Sequence, residues 1–183
     1  MIIKPINSFY IVNSIDNYKD HNKQLLNLIK NTPKEKFNDI TYTDWKIPEN
    51  IDRPYLNYFY DIIYPKLDII SNFLNFQKCY IHNMWFQQYY NGDRHTWHNH
   101  ADSNFTNVYY VELPDLNYKT ELYDDINKRI IDLDAKEGDL VTFPAYINHR
   151  SKNNKSNDRK TIISFNSSFD ITNVEKINST LTN

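Results

Sequence analysis

The stretch "YIHNMWFQQYYNGDRHTWHNHADSNFTNVYYVEL" (residues 80–113) decides how this chain folds. Two runs rich in aromatic and β-branched residues flank a polar segment that holds three histidines and one of the chain's two glycines. Such runs read as strands, and more follow: "TELYD" (120–124), "RIIDLDA" (129–135), "DLVTFPA" (139–145) and "TIISFNSSF" (161–169). No helical pattern interrupts them. Many short strands without intervening helices predict an antiparallel sandwich or barrel, and two packed sheets of a jelly-roll kind suit their number.

Upstream the pattern differs. "NSFYIVNS" reads as an opening strand, and the segment after it spaces Leu25, Leu28 and Ile29 as on a helix, with Asp16 as its N-cap and His21 on its solvated face. A second helix starts near Asp52 and Pro54 and carries Leu56, Phe59, Ile63, Leu67, Ile70 and Leu74 on one face, an apolar stripe that would brace a sheet. Pro65 is expected to kink or split it. The fold class is therefore mainly β, with a core braced by two or three α-helices. A chain of 183 residues makes one domain: a helical support region (1–78), a β core (79–170) and a loose polar tail (171–183).

The segment "RHTWHNHAD" (94–102) carries the chemistry. In an extended chain alternate residues share a face, so His98, His100 and Asp102 can project together. Two imidazoles and a carboxylate form the facial triad that suits Fe(II) and leaves three positions for a chelating cosubstrate and dioxygen. A further ligand must come from elsewhere, and His149, at the end of "EGDLVTFPAYINH", is the candidate. His98 remains an alternative ligand. His82 and His95 read as structural or exposed, Cys79 as a small buried group, and Trp85 and Trp97 as core residues near a pocket mouth. Arg150, Lys152, Lys155, Arg159 and Lys160 read as a solvated loop leading into a strand.

These residues resemble the 2-oxoglutarate- and Fe(II)-dependent dioxygenases, in their prolyl-4-hydroxylase-like branch, and are similar to small oxygenase-like proteins of bacteriophages. The matching positions are Tyr90, Gly92, His100 and Asp102, the strand "NVYYV", "GDLVTFPAYINH" with His149, and Arg159 in "RKTIISFN". The resemblance covers about residues 80 to 170 and implies a double-stranded β-helix, a cupin-like jelly roll. It implies Fe(II) on His100, Asp102 and His149, and 2-oxoglutarate as cosubstrate, with ascorbate as a further possible cofactor. Arg159 would grip the far carboxylate of the cosubstrate as a bidentate fork, Tyr90 and Tyr110 would add hydroxyl donors, and Phe143 and Phe165 would wall the pocket. The family has a further glycine where this chain reads "KTELYD".

The implied reaction hydroxylates a protein side chain or a small molecule and converts 2-oxoglutarate and O2 to succinate and CO2. Two alternatives remain open. One is a cupin-type metalloenzyme using His98, His100 and His149 without 2-oxoglutarate; the other is a non-enzymatic jelly-roll binding or virion protein. The formal net charge of −2 gives no strong nucleic-acid signal, though it leaves room for a local basic patch. A single cysteine and the lack of any long apolar run favour a cytoplasmic protein with no membrane partner, in the host cell if the gene is a phage's. The loops "SKNNKSND" and "LPDLNYKT" are expected to flank the pocket mouth. Edge strands of such sheets can pair, so a homodimer is a possible assembly.

Overall fold

The computed structural model describes residues 8–37 and 40–181. The first residue of the expected opening strand and the last two of the expected tail lie outside the described residues. Alternating side chains of the long strands build two layers. The larger sheet is formed by β1 (Ile11–Ser14), β2 (Glu35–Phe37), β3 (Thr41–Thr43), β4 (Phe76–Tyr89), β6 (Phe105–Glu112), β9 (Asp139–Pro144) and β11 (Lys160–Thr172). The smaller contains β5 (His95–His98), β7 (Thr120–Asp124), β8 (Arg129–Asp132) and β10 (His149–Ser151). Their orders are β1-β9-β6-β11-β4-β3-β2 and β5-β10-β7-β8, every pairing antiparallel and neither sheet closed on itself. This is the jelly roll expected from the strand runs.

The two faces of the large sheet do different work. On one face Phe86, Tyr109, Leu140, Ile163 and Phe165 pack against helices α1 (Tyr18–Lys30) and α2 (Tyr55–Phe73). On the other, Tyr89, Val108, Tyr110, Val141, Phe143 and Ile162 face the small sheet. The period of two sets this division, because residues 163 and 165 go to the helices while 162 goes between the sheets. The expected stripe on α2 is buried at Phe59, Ile63, Leu67 and Ile70, and Tyr55 continues it to the first turn.

Four details differ from expectation. Pro65 lies inside α2 without splitting it; the residue is exposed, so the carbonyl it leaves unpaired can be hydrated. Asn17, in a left-handed conformation, is the cap position of α1, and Asp16 instead meets Lys66 at 3.4 Å. His21 is half-buried, its Nδ1 2.9 Å from the Tyr58 hydroxyl. The end of the chain forms α3 (Val174–Leu181) where a loose tail was expected. Gly138 has φ +84, and a Cβ there would run into the Tyr18 ring, so this turn requires glycine.

Among the described residues no helix is long and apolar enough to cross a membrane. The brace between α2 and the sheet centres on Phe59, whose ring lies 5.1 Å from Tyr109 and 6.2 Å from Phe165. Phe59→Ala should lower unfolding free energy by about 3–5 kcal/mol in urea titration; a loss below about 1 kcal/mol would mean α2 is not part of the cooperative core.

Candidate metal and cosubstrate site

Strand β5 pairs with β10 so that His98 stands opposite His149. Beyond His98 the chain leaves the strand, and the His100 amide donates to the Ala145 carbonyl at 2.9 Å, which ties the segment to the turn between β9 and β10. These two constraints bring three imidazoles together. One ring nitrogen each of His98, His100 and His149 lies within 4.8 Å of the others. Ring centroids are 4.2 Å apart for His98 and His149, 5.1 Å for His100 and His149, and 5.4 Å for His98 and His100.

Hydrogen bonds fix the tautomers. His98 Nδ1 is 2.8 Å from the Thr96 carbonyl and His149 Nδ1 is 3.0 Å from that of Ile147. A carbonyl can only accept, so each Nδ1 carries the proton and each Nε2 keeps its lone pair. His100 Nδ1 is bonded to Asn166 Oδ1 and lies 3.2 Å from Thr106 Oγ1. Tethering one ring nitrogen so that the other is free and aimed is what metal-binding histidines require. Burial pulls the pKa of all three below the usual histidine range, and charge on their neighbours adds to this for His98 and His149. Three neutral nitrogen donors suit a divalent transition ion such as Fe(II) and do not suit Mg2+ or Ca2+.

Asp102 stands apart from this cluster. The chain bends at Ala101 and Asp102, so the alternation that aligns His98 with His100 does not continue, and the carboxylate is exposed on the cavity rim. His95, expected to be structural or exposed, is a half-buried fourth imidazole lining the cavity. It stacks on His98 at 3.9 Å, and burial followed by the neighbouring His98 and His100 pulls its pKa down to about 4.

The cavity holding the cluster measures about 590 Å³. Its floor comes from inward residues of β4 and β11, including Gln87, Ile162, Ser164 and Asn166, and its outer wall includes Trp85 with Trp45 edge-on at 4.3 Å. Phe143 abuts the His149 ring at 5.0 Å, whereas Phe165 faces the helices and belongs to the other core. Tyr110 is fully buried behind the cavity, its hydroxyl accepting from the Thr120 amide at 3.0 Å, and burial pushes its pKa up to about 12. Tyr90 is 42% exposed and sits edge-on to Tyr42.

The cations at the start of β11 divide by parity. Arg159 shares its side of the strand with Ile163 and Phe165, and its guanidinium forks onto Glu112 at 2.8 and 2.9 Å. Lys160 shares its side with Ile162, Ser164 and Asn166 and is only 1% exposed, so it is not part of a solvated loop. Its Nζ donates to Ser151 Oγ at 2.8 Å and lies 4.9 Å from the centroid of the Tyr89 ring, and both partners line the cavity. Among the described residues no carboxylate pairs with it, and burial pulls its pKa down to about 7. A buried amine of this kind regains its proton when an anion joins it. In "RKTIISFN" Lys160 alternates in phase with Ile162, Ser164 and Asn166, and Arg159 with Thr161, Ile163 and Phe165.

No family model matches the sequence, and no curated protein sequence matches it. Solved structures do. The chain superposes on an oxidoreductase of the 2OG-Fe(II) oxygenase family from Burkholderia pseudomallei with TM-score 0.72, at 9% identity, over 87% of this chain and 84% of that one. The fold is that of the 2-oxoglutarate–Fe(II) oxygenases. The same 87% superposes on the viral collagen prolyl hydroxylase of Paramecium Bursaria Chlorella virus-1 in its 2OG complex, with TM-score 0.60 at 15% identity over 94% of that chain. It also superposes on HygX from Streptomyces hygroscopicus with nickel and 2-oxoglutarate bound, with TM-score 0.68 at 7% identity over 82% of that chain. A prolyl hydroxylase is thus among the proteins that share this fold.

The buried imidazoles make stability depend on pH. Their folded pKa values lie below the value of about 6.5 in an unfolded chain, so as pH falls the unfolded state takes up protons first and stability declines. The metal-free protein should therefore lose thermal stability as pH drops from about 6.5 toward about 4, and His95→Gln with His98→Gln should flatten that decline. Equal slopes in calorimetric scans of the two proteins would refute the assignment.

Proposed function

We propose that this chain is an Fe(II)- and 2-oxoglutarate-dependent oxygenase that hydroxylates a substrate C–H bond. The observation that carries the reading is the cluster of three tethered imidazoles in a cavity that is also lined by Ser151 and Tyr89, the two partners of the buried Lys160. Solved proteins of this fold include ones with nickel and 2-oxoglutarate bound, which supports the same pair of ligands here. The ion, once bound with 2-oxoglutarate and dioxygen, supplies the oxidation of the C–H bond as 2-oxoglutarate goes to succinate and CO2.

The chain's own residues do the rest. His98, His100 and His149 would hold the ion through Nε2, while Thr96, Ile147 and Asn166 keep the rings aimed. Lys160 takes the far carboxylate of 2-oxoglutarate, the role the family resemblance assigns to Arg159, and the Ser151 hydroxyl beside it contributes a second polar contact. The carboxylate restores the charge that burial suppresses on the ammonium. Val108 and Ile162 keep water from this end of the cavity, and Phe143 backs the His149 ring. Asp102 on the rim meets substrate rather than the ion.

A second reading keeps the three-histidine ion and dispenses with 2-oxoglutarate. The donor set is compatible with it. It gives Lys160 no anion, which counts against it.

Anaerobic addition of Fe(II) and 2-oxoglutarate should produce the visible charge-transfer band of the chelate. Lys160→Met should weaken 2-oxoglutarate by about ten- to a hundredfold, whereas Arg159→Ala should change it by less than about threefold. A band lost in Arg159→Ala and kept in Lys160→Met would overturn the lysine assignment. No band with bound Fe(II) would favour the second reading.

A further inference from the structure

A second depression adjoins the cavity. It measures about 390 Å³ and shares His95, Arg150 and Ser151 with the cavity wall. Its remaining lining includes Arg94, Trp97, Lys152 and Lys155, so four cations surround one groove in a chain whose formal net charge is −2. Among the described residues only Glu121 pairs with them, meeting Arg150 at 2.7 Å and Lys152 at 2.8 Å. Among the described residues neither Arg94 nor Lys155, both exposed, has a carboxylate partner. Trp97 is 38% exposed and the Arg150 guanidinium lies 4.4 Å over its ring. Positive charge gathered at the mouth of a cleft concentrates anionic ligands there.

The cavity beyond is different in kind. Its walls include the indoles of Trp45 and Trp85, the latter 6.1 Å from the His100 ring, and the side-chain amides of Asn83, Gln87 and Asn99. Indole rings and carboxamides lining one cavity suit a neutral, planar group with hydrogen-bonding edges, and an adjacent cationic groove suits a compact dianion. The groove is built on a strand of four residues and one indole, which favours one concentrated charge over the spaced carboxylates of an acidic peptide.

We propose that the substrate is a nucleotide, free or at the end of a single strand, with its phosphate in the groove between β5 and the loop after β10 and its base in the cavity. The assignment rests on the oxygenase reading for what happens to the base, and on the groove alone for binding. Arg94 and Lys155 bind the phosphate, Arg150 and Lys152 add to its field, and Trp97 flanks the sugar or base.

Calorimetric titration of the full chain with a 5′-mononucleotide, the matching nucleoside, inorganic phosphate, a short single-stranded oligonucleotide and a polyglutamate peptide tests this. The nucleotide should bind more tightly than nucleoside or phosphate alone, and more weakly as salt is raised. Arg94→Gln with Lys155→Gln should weaken it by about tenfold or more while leaving the Fe(II)–2-oxoglutarate band intact. Preference for the oligonucleotide over the mononucleotide would identify the polymer as the source of the phosphate. Failure of every nucleotide to bind, binding of the peptide in preference, or unchanged affinity in the double variant would overturn the proposal. Nucleotide binding without a chelate band would leave the groove assignment standing and remove the oxygenase reading, so the two fail separately.

Discussion

The pairing of β5 with β10, which sets His98 opposite His149, is the constraint on which the site depends. Both strands are short, four and three residues, and contribute little stability alone. They are held in place by β7, which pairs with the other edge of β10, and by the His100 amide bond to the turn that ends β9. A slip of one residue in this register would turn an imidazole away from the cluster. The larger sheet, clamped on its back by α2, is the rigid floor against which this small sheet is aligned.

Burial and polarity are arranged to oppose each other in the cavity. The imidazoles are kept neutral by desolvation and aimed by hydrogen bonds on the wrong side for solvent, so the metal-facing nitrogens are left to a ligand. Lys160 is the complementary case, an ammonium whose burial is unfavourable until an anion joins it. Such a site holds unfavourable free energy that ligand binding releases. Metal and cosubstrate should then stabilise the fold by linkage as well as supply its chemistry.

The strand runs and the stripe on α2 were legible because their periods are long enough to register: "FTNVYYVEL" and "TIISFNSSF" became β6 and β11, and Phe59, Ile63, Leu67 and Ile70 all turned inward. The pieces missed were short. β2, β3 and β10 span three residues each, below the length at which periodicity speaks. Sequence singles out His100, Asp102 and His149 with His98 as an alternative ligand; the structure brings the three histidines together and leaves Asp102 on the rim, because a bend at Ala101 ends the alternation. Spacing alone could not reveal that bend. The choice between Arg159 and Lys160 turned on parity along β11, which requires knowing which face of the strand meets the helices.

In the proposed site three imidazoles, and no carboxylate from the chain, hold the ion. X-ray absorption on the anaerobic Fe(II) protein counts imidazole neighbours directly. Three are expected in the wild type, three in Asp102→Ala and two in His98→Ala. Two in the wild type, with a carboxylate oxygen lost in Asp102→Ala, would contradict it.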